Sequence, residues 1–272
     1  MRGRKRIPMI IISIFYFVIL YLPIYWLFIT AFKKRIDIVT THPKFFFRPT
    51  LANFEWIFSF SQVSDSIINS IIITVGSVAL ALILGSCAAY AISRFKFKGR
   101  EGLRNWTLTV RMLPPIAVVL PMYIIWTKLN LYDTYLSLIV TYLAISLPLV
   151  IWLMVGFFNQ IPIEIEESAR VDGCGVYKTF LFITLPNAMP GIIVSAILSF
   201  IFIWNDMFFA FVLSSIRSTF PVIITSMATT GLEVRWGEMA AMGVLSVIPS
   251  FVFAVFARNF LIRGFQGLYT GK

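Results

Sequence analysis

Residues 161–186 read Ile-Pro-Ile-Glu-Ile-Glu-Glu-Ser-Ala-Arg-Val-Asp-Gly-Cys-Gly-Val-Tyr-Lys-Thr-Phe-Leu-Phe-Ile-Thr-Leu-Pro, and they separate two long apolar runs. Three glutamates, Glu164, Glu166 and Glu167, lie near the start of this segment, and Asp172-Gly173 follows them. A loop that only joined two apolar segments would not need this pattern. The segment therefore predicts a structure that docks another molecule in water while its flanks lie in lipid.

The residue types of this segment predict two short helices joined at a glycine. Pro162 suits the first turn of a helix, where its missing N–H costs nothing. Carboxylates are favourable near a helix N-terminus, and Gly173 suits the C-terminal end. We therefore expect a helix from Pro162 to Asp172 and a second one from Val176 to Phe182. A plain solvated loop is the alternative that spacing alone leaves open.

The composition of the whole chain places it in a bilayer. It is 59% hydrophobic and only 13% charged, with a mean hydropathy of +0.88, whereas soluble domains are near half apolar and a quarter charged. Six runs reach the roughly 20 residues that a spanning helix needs. They lie at about 8–32, 66–93, 105–127, 136–158, 187–213 and 239–262. The prediction is an all-α membrane protein in which residues 1–272 form one transmembrane domain of six helices, with a loop at 159–186.

Basic residues lie mostly at the ends of these runs, which argues against nucleic-acid binding despite the net charge of +11. The first run follows Arg2–Arg6, but it is too long for a signal peptide and lacks a clear cleavage site, so we expect a retained helix. If the N-terminus is inside, the inner segments hold most of the Lys and Arg residues. The positive-inside rule then predicts that both termini are cytoplasmic, although Lys33–Arg35 on the outer side oppose it.

Several function classes are excluded by what the sequence lacks. Cys87 and Cys174 fall in different environments, so no disulfide framework is expected. The single histidine, His42, leaves no metal-ligand pattern and no histidine for a catalytic pair within the membrane. No Gly-x-x-x-x-Gly-Lys-Ser/Thr phosphate loop is present. We therefore expect no catalytic residues, no metal and no cofactor on this chain.

Polar and aromatic residues within the apolar runs mark a possible substrate path. Pro114 and Pro115 must break or kink the third run, and such backbone is tolerated only beside protein or water. Arg111 and Asp206 are costly in lipid and must face partners, water or each other. The path candidates are Trp204, Asn205, Asp206, Arg111, Tyr123 and Trp126. A structural ion pair and an interfacial aromatic belt are the alternatives.

The 161–186 segment resembles the "EAA" loop of ABC-importer permeases. Glu167-Ser168-Ala169, Gly173, Ile183 and Leu185-Pro186 stand in the register of that loop, with Ser168 where alanine is usual. In that family the loop sits in a cleft of an ATP-hydrolysing subunit. The resemblance implies that the docking residues are Glu167, Ser168, Ala169, Asp172, Gly173, Ile183, Leu185 and Pro186.

The resemblance covers nearly the whole chain and is closest to the maltose-type second permease. It includes Pro23–Trp26, Asn69-Ser70, Ala88–Phe97, Pro121–Tyr123 and Trp204-Asn205. It implies a type I ABC importer permease fold in the bacterial cytoplasmic (inner) membrane. The implied partners are a second permease, two copies of an ATP-binding subunit that carry ATP and Mg, and a periplasmic or extracellular solute-binding protein.

The expected function is ATP-driven import of a sugar, oligosaccharide, polyol or glycerol-linked solute. Two alternatives remain open at this point. One is an ABC importer permease for a solute that is not a sugar. The other is a polytopic channel that needs no ATPase.

Overall fold

The computed structural model describes residues 6–229 and 234–269, and within these ranges the regular structure is entirely helical. The helices before the 161–186 segment are α1 Arg6–Ala31, α2 Arg35–Ile38, α3 Ala52–Phe58, α4 Ser61–Arg94, α5 Arg100–Val110, α6 Pro115–Lys128 and α7 Tyr135–Phe158. The later helices are α8 Ile163–Val171, α9 Val176–Lys178, a π-helical turn Thr179–Thr184, α10 Leu185–Asn187, α11 Met189–Trp204, α12 Phe208–Leu213, α13 Phe220–Thr229 and α14 Trp236–Tyr269. The predicted all-α class is confirmed.

Within the described residues, four helices are long and apolar enough to cross a membrane by length and composition. They lie at Ile12–Ala31, Ser61–Arg94, Tyr135–Phe158 and Trp236–Phe256. A fifth span results if Val176–Asn187 and Met189–Trp204, which meet at a bend of 73°, are taken together. The predicted number of six spans and the predicted location of the termini therefore stay predictions.

Two of the six predicted runs are interrupted, and the interruption of the third run has a local cause. In the third run α5 ends at Val110 and α6 begins after Pro114, which is extended with ψ 134°. A residue that precedes proline is pushed out of the helical region, and this explains the break before Pro115. In the fifth run α11 ends at Trp204 and α12 begins at Phe208. Residues 187–213 therefore do not form the single uninterrupted run that the sequence predicts.

The chain divides into two compact units, one of residues 1–64 with 223–248 and one of residues 65–222 with 249–272. The core of the second unit joins α4 and α7 to the 161–186 segment. The Tyr90 ring lies 5.8 Å from Phe158 and 4.7 Å from Phe180 between ring centroids. Gly85 allows α4 to approach α7, because a Cβ there would lie 2.7 Å from Cγ1 of Val150. The segment is thus part of the packed core, not an appendage.

Candidate functional site

The predicted helix at the start of the 161–186 segment is present as α8. Pro162 is its extended N-terminal cap and Asp172 its C-terminal cap. Gly173 has φ +86°, its N–H donates to the Arg170 carbonyl, and the Cys174 N–H donates to the Ala169 carbonyl, both at 3.0 Å. This pair of bonds is the Schellman motif, which needs a left-handed residue and so favours glycine. The glycine elbow expected from the sequence is confirmed.

The second predicted helix, Val176–Phe182, continues to Asn187 through the π-helical turn. Ile183 and Leu185 are half-buried in it, whereas Pro186 is exposed. We call residues 162–187 the knob, since α8 and this second helix form two arms about Gly173. The knob is built by local capping together with burial of Phe180 and Thr184.

A buried ion pair fixes the knob to the end of α4. The Arg94 Nε donates to Oε1 of Glu166 at 2.8 Å, and the Tyr90 hydroxyl donates to Oε2 at 3.1 Å. The side chains of Arg94 and Glu166 are 7% and 0% exposed. The Arg94 Nη2 also donates to the carbonyls of Phe158 and Ile161 at 2.9 and 3.0 Å. One guanidinium therefore joins α4, the end of α7 and α8.

The outward face of α8 carries several of the residues expected to dock a partner. Glu167, Ser168, Asp172 and Gly173 are exposed, whereas Ala169 is buried beside Glu166. The sequence singled out Glu167 for docking but gave Glu166 no role beyond the helix N-terminus, and it did not predict that Glu166 is buried while Glu167 is exposed. The spacing of Glu166 and Ala169, three residues apart on one helix face, was the signal available.

The break in the fifth run is organised by Asp206. Its Oδ1 accepts from the Tyr142 hydroxyl at 2.8 Å and from the Phe209 N–H at 3.0 Å, which caps the start of α12. The Asn205 Nδ2 donates to the Ile201 carbonyl at 2.7 Å and to the Ser250 hydroxyl at 3.2 Å. These bonds satisfy the backbone freed by the break, as an apolar environment requires.

The remaining path candidates are only partly brought together. Trp204 is buried and stacks on Phe200 at 5.7 Å, next to Asn205 and Asp206. The Trp126 indole N–H donates to the Thr141 hydroxyl at 2.9 Å, and Tyr123 is half-exposed. α6, which carries Tyr123 and Trp126, packs against α12.

Arg111 does not pair with Asp206 in the described residues. It is exposed, and its guanidinium lies 5.7 Å from the centre of the Phe202 ring. The partners of Asp206 are the Tyr142 hydroxyl and a backbone N–H, so the ion pair considered from the sequence is not formed.

The structure contains a contact between two loops, made by the carboxylate of Asp133, that was not predicted from the sequence. Asp133 accepts hydrogen bonds at 3.0 Å from the N–H groups of Ser215, Ile216 and Arg217. Burial alone would raise the pKa of Asp133, but the three N–H donors and the Arg217 charge outweigh it and hold the pKa below its usual value. The Arg217 guanidinium also lies 4.6 Å from the centre of the Tyr135 ring. This contact ties the loop before α7 to the loop after α12.

The first unit contains a separate cavity of about 520 Å³. Trp26, Lys33, Asp37 and Lys44 line it, and Lys44 pairs with Asp37 at 2.8 Å. The Lys33 ammonium lies 4.2 Å from the centre of the Trp26 ring, and burial lowers the pKa of Lys33. Across the described residues no group of three His, Cys, Asp or Glu side chains is placed to hold a metal ion.

Comparisons with known proteins show the family and the fold of this chain. Residues 78–266 match the family model described as binding-protein-dependent transport system inner membrane component. The trehalose transport system permease protein SugB of Mycobacterium tuberculosis is 33% identical, over 89% of this chain and 89% of that protein. The trehalose/maltose transport system permease protein MalG of Thermococcus litoralis is 30% identical, over 96% and 95%. The crystal structure of a bacterial ABC transporter that imports the acidic polysaccharide alginate superposes with a TM-score of 0.81 at 20% identity, covering 95% of this chain and 96% of that chain.

Proposed function

Because this chain belongs to the family of binding-protein-dependent transport system inner membrane components and has the fold of an ABC importer permease, we propose that it imports a carbohydrate and is driven through its knob by separate ATPase subunits. The family and the apolar helices make it a multi-pass protein of the cytoplasmic membrane. The solute class, the role of the knob and the partners go beyond this family membership and are proposed.

The coupling proposal rests on the two sides of α8, of which one is buried and bonded to α4 and the other is exposed. Glu166 is buried and bonded to Arg94, while the next residue, Glu167, is exposed. Because the buried side is held by a desolvated ion pair, a displacement of the exposed side moves the ends of α4 and α7 with it. We propose that Glu167 pairs with a basic group of the ATPase, and that Ser168, Asp172 and Gly173 complete the docking face.

The carbohydrate class is supported by relatives whose names specify trehalose, or trehalose and maltose, over most of the chain. The substrate would pass the break at Asn205 and Asp206, where polar groups meet Trp204 and the helices that carry Tyr123 and Trp126. Aromatic side chains near polar ones suit a sugar, whose ring has apolar faces and hydroxyl edges.

The complete importer would contain a second permease, two ATP-binding subunits that hold ATP and Mg, and a solute-binding protein outside the membrane. The knob and both termini would face the cytoplasm, where ATP is available. ATP binding would close the ATPases, press on the knob and switch the helices between inward-open and outward-open states.

The coupling proposal is tested by Glu167→Lys in the complete complex. We expect the ATPase subunits to copurify with the wild type and to be lost from the variant, since like charges then face each other at the dock. Glu55→Lys is the matched control, because Glu55 is an exposed glutamate outside the knob. Retention of the ATPases and of ATP-driven uptake in Glu167→Lys would rule out this docking role.

The solute proposal is tested separately with proteoliposomes that contain the complex and its binding protein. Uptake of a mono- or oligosaccharide that depends on ATP supports it. Uptake of an amino acid or another non-sugar solute, with every sugar inactive, would keep the importer but overturn the substrate class. Solute flux without any ATPase subunit would indicate a channel instead.

A further inference from the structure

Apolar and basic side chains alternate in the loop after α4 and continue into α5. The loop reads Phe95-Lys96-Phe97-Lys98-Gly99. Phe95 and Phe97 are 41% and 43% exposed, and Lys96 and Lys98 are exposed beside them. We call residues 95–106 the basic segment. Exposed aromatics interleaved with cations are typical of surfaces at the boundary between lipid headgroups and acyl chains.

The α5 part of this segment is amphipathic. Leu103 and Trp106 share one face of the helix with Val110, which lies just after the basic segment at the end of α5, and Trp106 is 59% exposed. Arg100 and Arg104, four residues apart, lie along the border of that apolar face. Cations that flank an exposed apolar stripe fit the polarity gradient of a membrane surface.

The cations of the basic segment are not used up by internal contacts. The Arg100 Nη2 reaches the Ser93 carbonyl only at 3.5 Å, whereas the Arg100 Nε is buried and has no hydrogen-bond partner among the described residues. Arg104 contacts Glu101 at a long 3.7 Å, and both side chains are at least half-exposed. Such an exposed ion pair contributes little to stability. The segment therefore keeps a net positive charge that an anionic partner can meet.

The structure also fixes which end of the second unit this segment occupies. Its first residue follows Arg94, whose guanidinium bonds to Glu166 of the knob. The Phe95 ring packs edge-on against Tyr90 at 6.1 Å between centroids. Gly99, with φ +93°, then reverses the chain into α5. The basic segment thus lies at the knob end of α4, where the helix that spans the membrane terminates.

We propose that the basic segment binds the anionic headgroups of phospholipids, with Phe95, Phe97 and Trp106 at the level of the upper acyl chains. Lys96, Lys98, Arg100 and Arg104 would contact the phosphates. The assignment to the cytoplasmic leaflet rests on the proposed orientation of the knob, whereas the lipid contact itself does not. The headgroups would hold the base of the knob at a constant depth while an ATPase moves its outer face.

The test uses the complete importer complex in mixed micelles of phosphatidylcholine and phosphatidylglycerol in equal amounts. Native mass spectrometry measures how much of each lipid is retained. We expect the wild type to retain phosphatidylglycerol over phosphatidylcholine, and Lys96→Gln/Lys98→Gln to bind it roughly 30-fold more weakly, because each lysine near an anionic surface adds about a factor of five. The preference should weaken at high salt. The double variant Lys34→Gln/Lys128→Gln, which removes two exposed lysines elsewhere, should retain as much phosphatidylglycerol as the wild type.

Three outcomes would overturn the lipid proposal. One is equal retention of the two lipids by the wild type, and another is unchanged phosphatidylglycerol retention by Lys96→Gln/Lys98→Gln. The third is loss of the ATPase subunits from this variant without loss of lipid, which would assign the cations to a protein contact. Sugar uptake is measured in parallel in proteoliposomes. Uptake without lipid preference contradicts only the lipid proposal, and lipid preference without any sugar uptake contradicts only the proposed substrate.

Discussion

Replacing Glu166 by glutamine should release the knob from its mount without changing its outward face. The variant leaves the Arg94 guanidinium buried with its carboxylate partner gone. Breaking a buried pair in this way costs about 3–5 kcal/mol. Arg94 keeps its bonds to the carbonyls of Phe158 and Ile161, so we expect a loss of about 3 kcal/mol, at the lower end of that range.

The assay is thermal unfolding of the purified complex followed together with ATP-driven uptake. On the scaling for soluble proteins, a loss of about 3 kcal/mol lowers the Tm by roughly 6–12 °C. Glu166→Gln should also transport poorly per complex, because the knob would yield instead of passing its displacement to α4. Glu167→Gln is the matched control, since that side chain is exposed and its loss should leave the Tm within about 2 °C, as for surface substitutions.

A double-mutant cycle separates the ion pair from other effects of the substitutions. In Arg94→Met/Glu166→Met both charges are removed together, so the double variant should be more stable than the sum of the two single losses predicts. If Glu166→Gln unfolds at the wild-type temperature, or if the losses of Arg94→Met and Glu166→Met simply add, the knob is not held by this pair and the proposed transmission of movement from α8 to α4 fails.

Three further predictions follow from local geometry. Asp133→Asn should cost about 1–2 kcal/mol, because an amide cannot accept all three N–H groups of residues 215–217. The pKa of Asp133 is lowered in the folded protein. Its contribution to stability is therefore complete above the usual aspartate pKa and is lost as the pH falls through the folded-state pKa. The measurement is the Tm in acid, which should drop more for the wild type than for Asp133→Asn. Gly191→Ala should cost about 1–3 kcal/mol through overpacking, because its Cβ would lie 2.5 Å from Cγ of Phe157. Gly173→Val should lower the Tm by straining a φ of +86°, at about 1–2 kcal/mol, and Gly173→Asn by less.

Each of these predictions has a contrary result that is easy to recognise. If the Tm of the wild type and that of Asp133→Asn drop equally in acid, Asp133 does not contribute to the pH dependence of stability. Adding Phe157→Ala to Gly191→Ala should restore part of the lost stability, because it removes the ring that the new Cβ meets. If stability is not restored, the loss does not come from a clash with Phe157. Equal Tm values for the valine and asparagine variants of Gly173 would contradict the backbone argument.

Features that depend on neighbouring residues in the chain could be predicted from the sequence. The helix α8 and its end at Gly173 follow from capping chemistry within a dozen residues. The break before Pro115 follows from the steric effect of proline on the preceding residue. The docking role of the exposed residues Glu167, Ser168 and Asp172 stays a prediction, although the register on which it rests is also carried by residues close together in the chain.

Features that depend on distant partners could not be predicted. The burial of Glu166 requires Arg94 and Tyr90, which lie on α4, far away in the sequence. The break after Trp204 has no proline or glycine to signal it, and it forms because Asp206 caps α12 and binds the Tyr142 hydroxyl. The apolar pattern of residues 187–213 gave no sign of the bond between Asp206 and Tyr142, which only the tertiary structure supplies.

The ion pair between Arg94 and α8 separates the part of the knob that is anchored in the core from the part proposed to meet a partner. The buried side, with Glu166 and Ala169, must keep its shape and charge for the helix to stay attached. The exposed side has no such constraint, since Glu164, Glu167 and Ser168 contribute nothing to the ion pair. If the outward residues dock an ATPase as proposed, they could be exchanged to fit a different ATPase while the ion pair is left intact. Specificity for an ATPase could then be redesigned on the exposed side of α8 without changing the buried side that attaches it to α4.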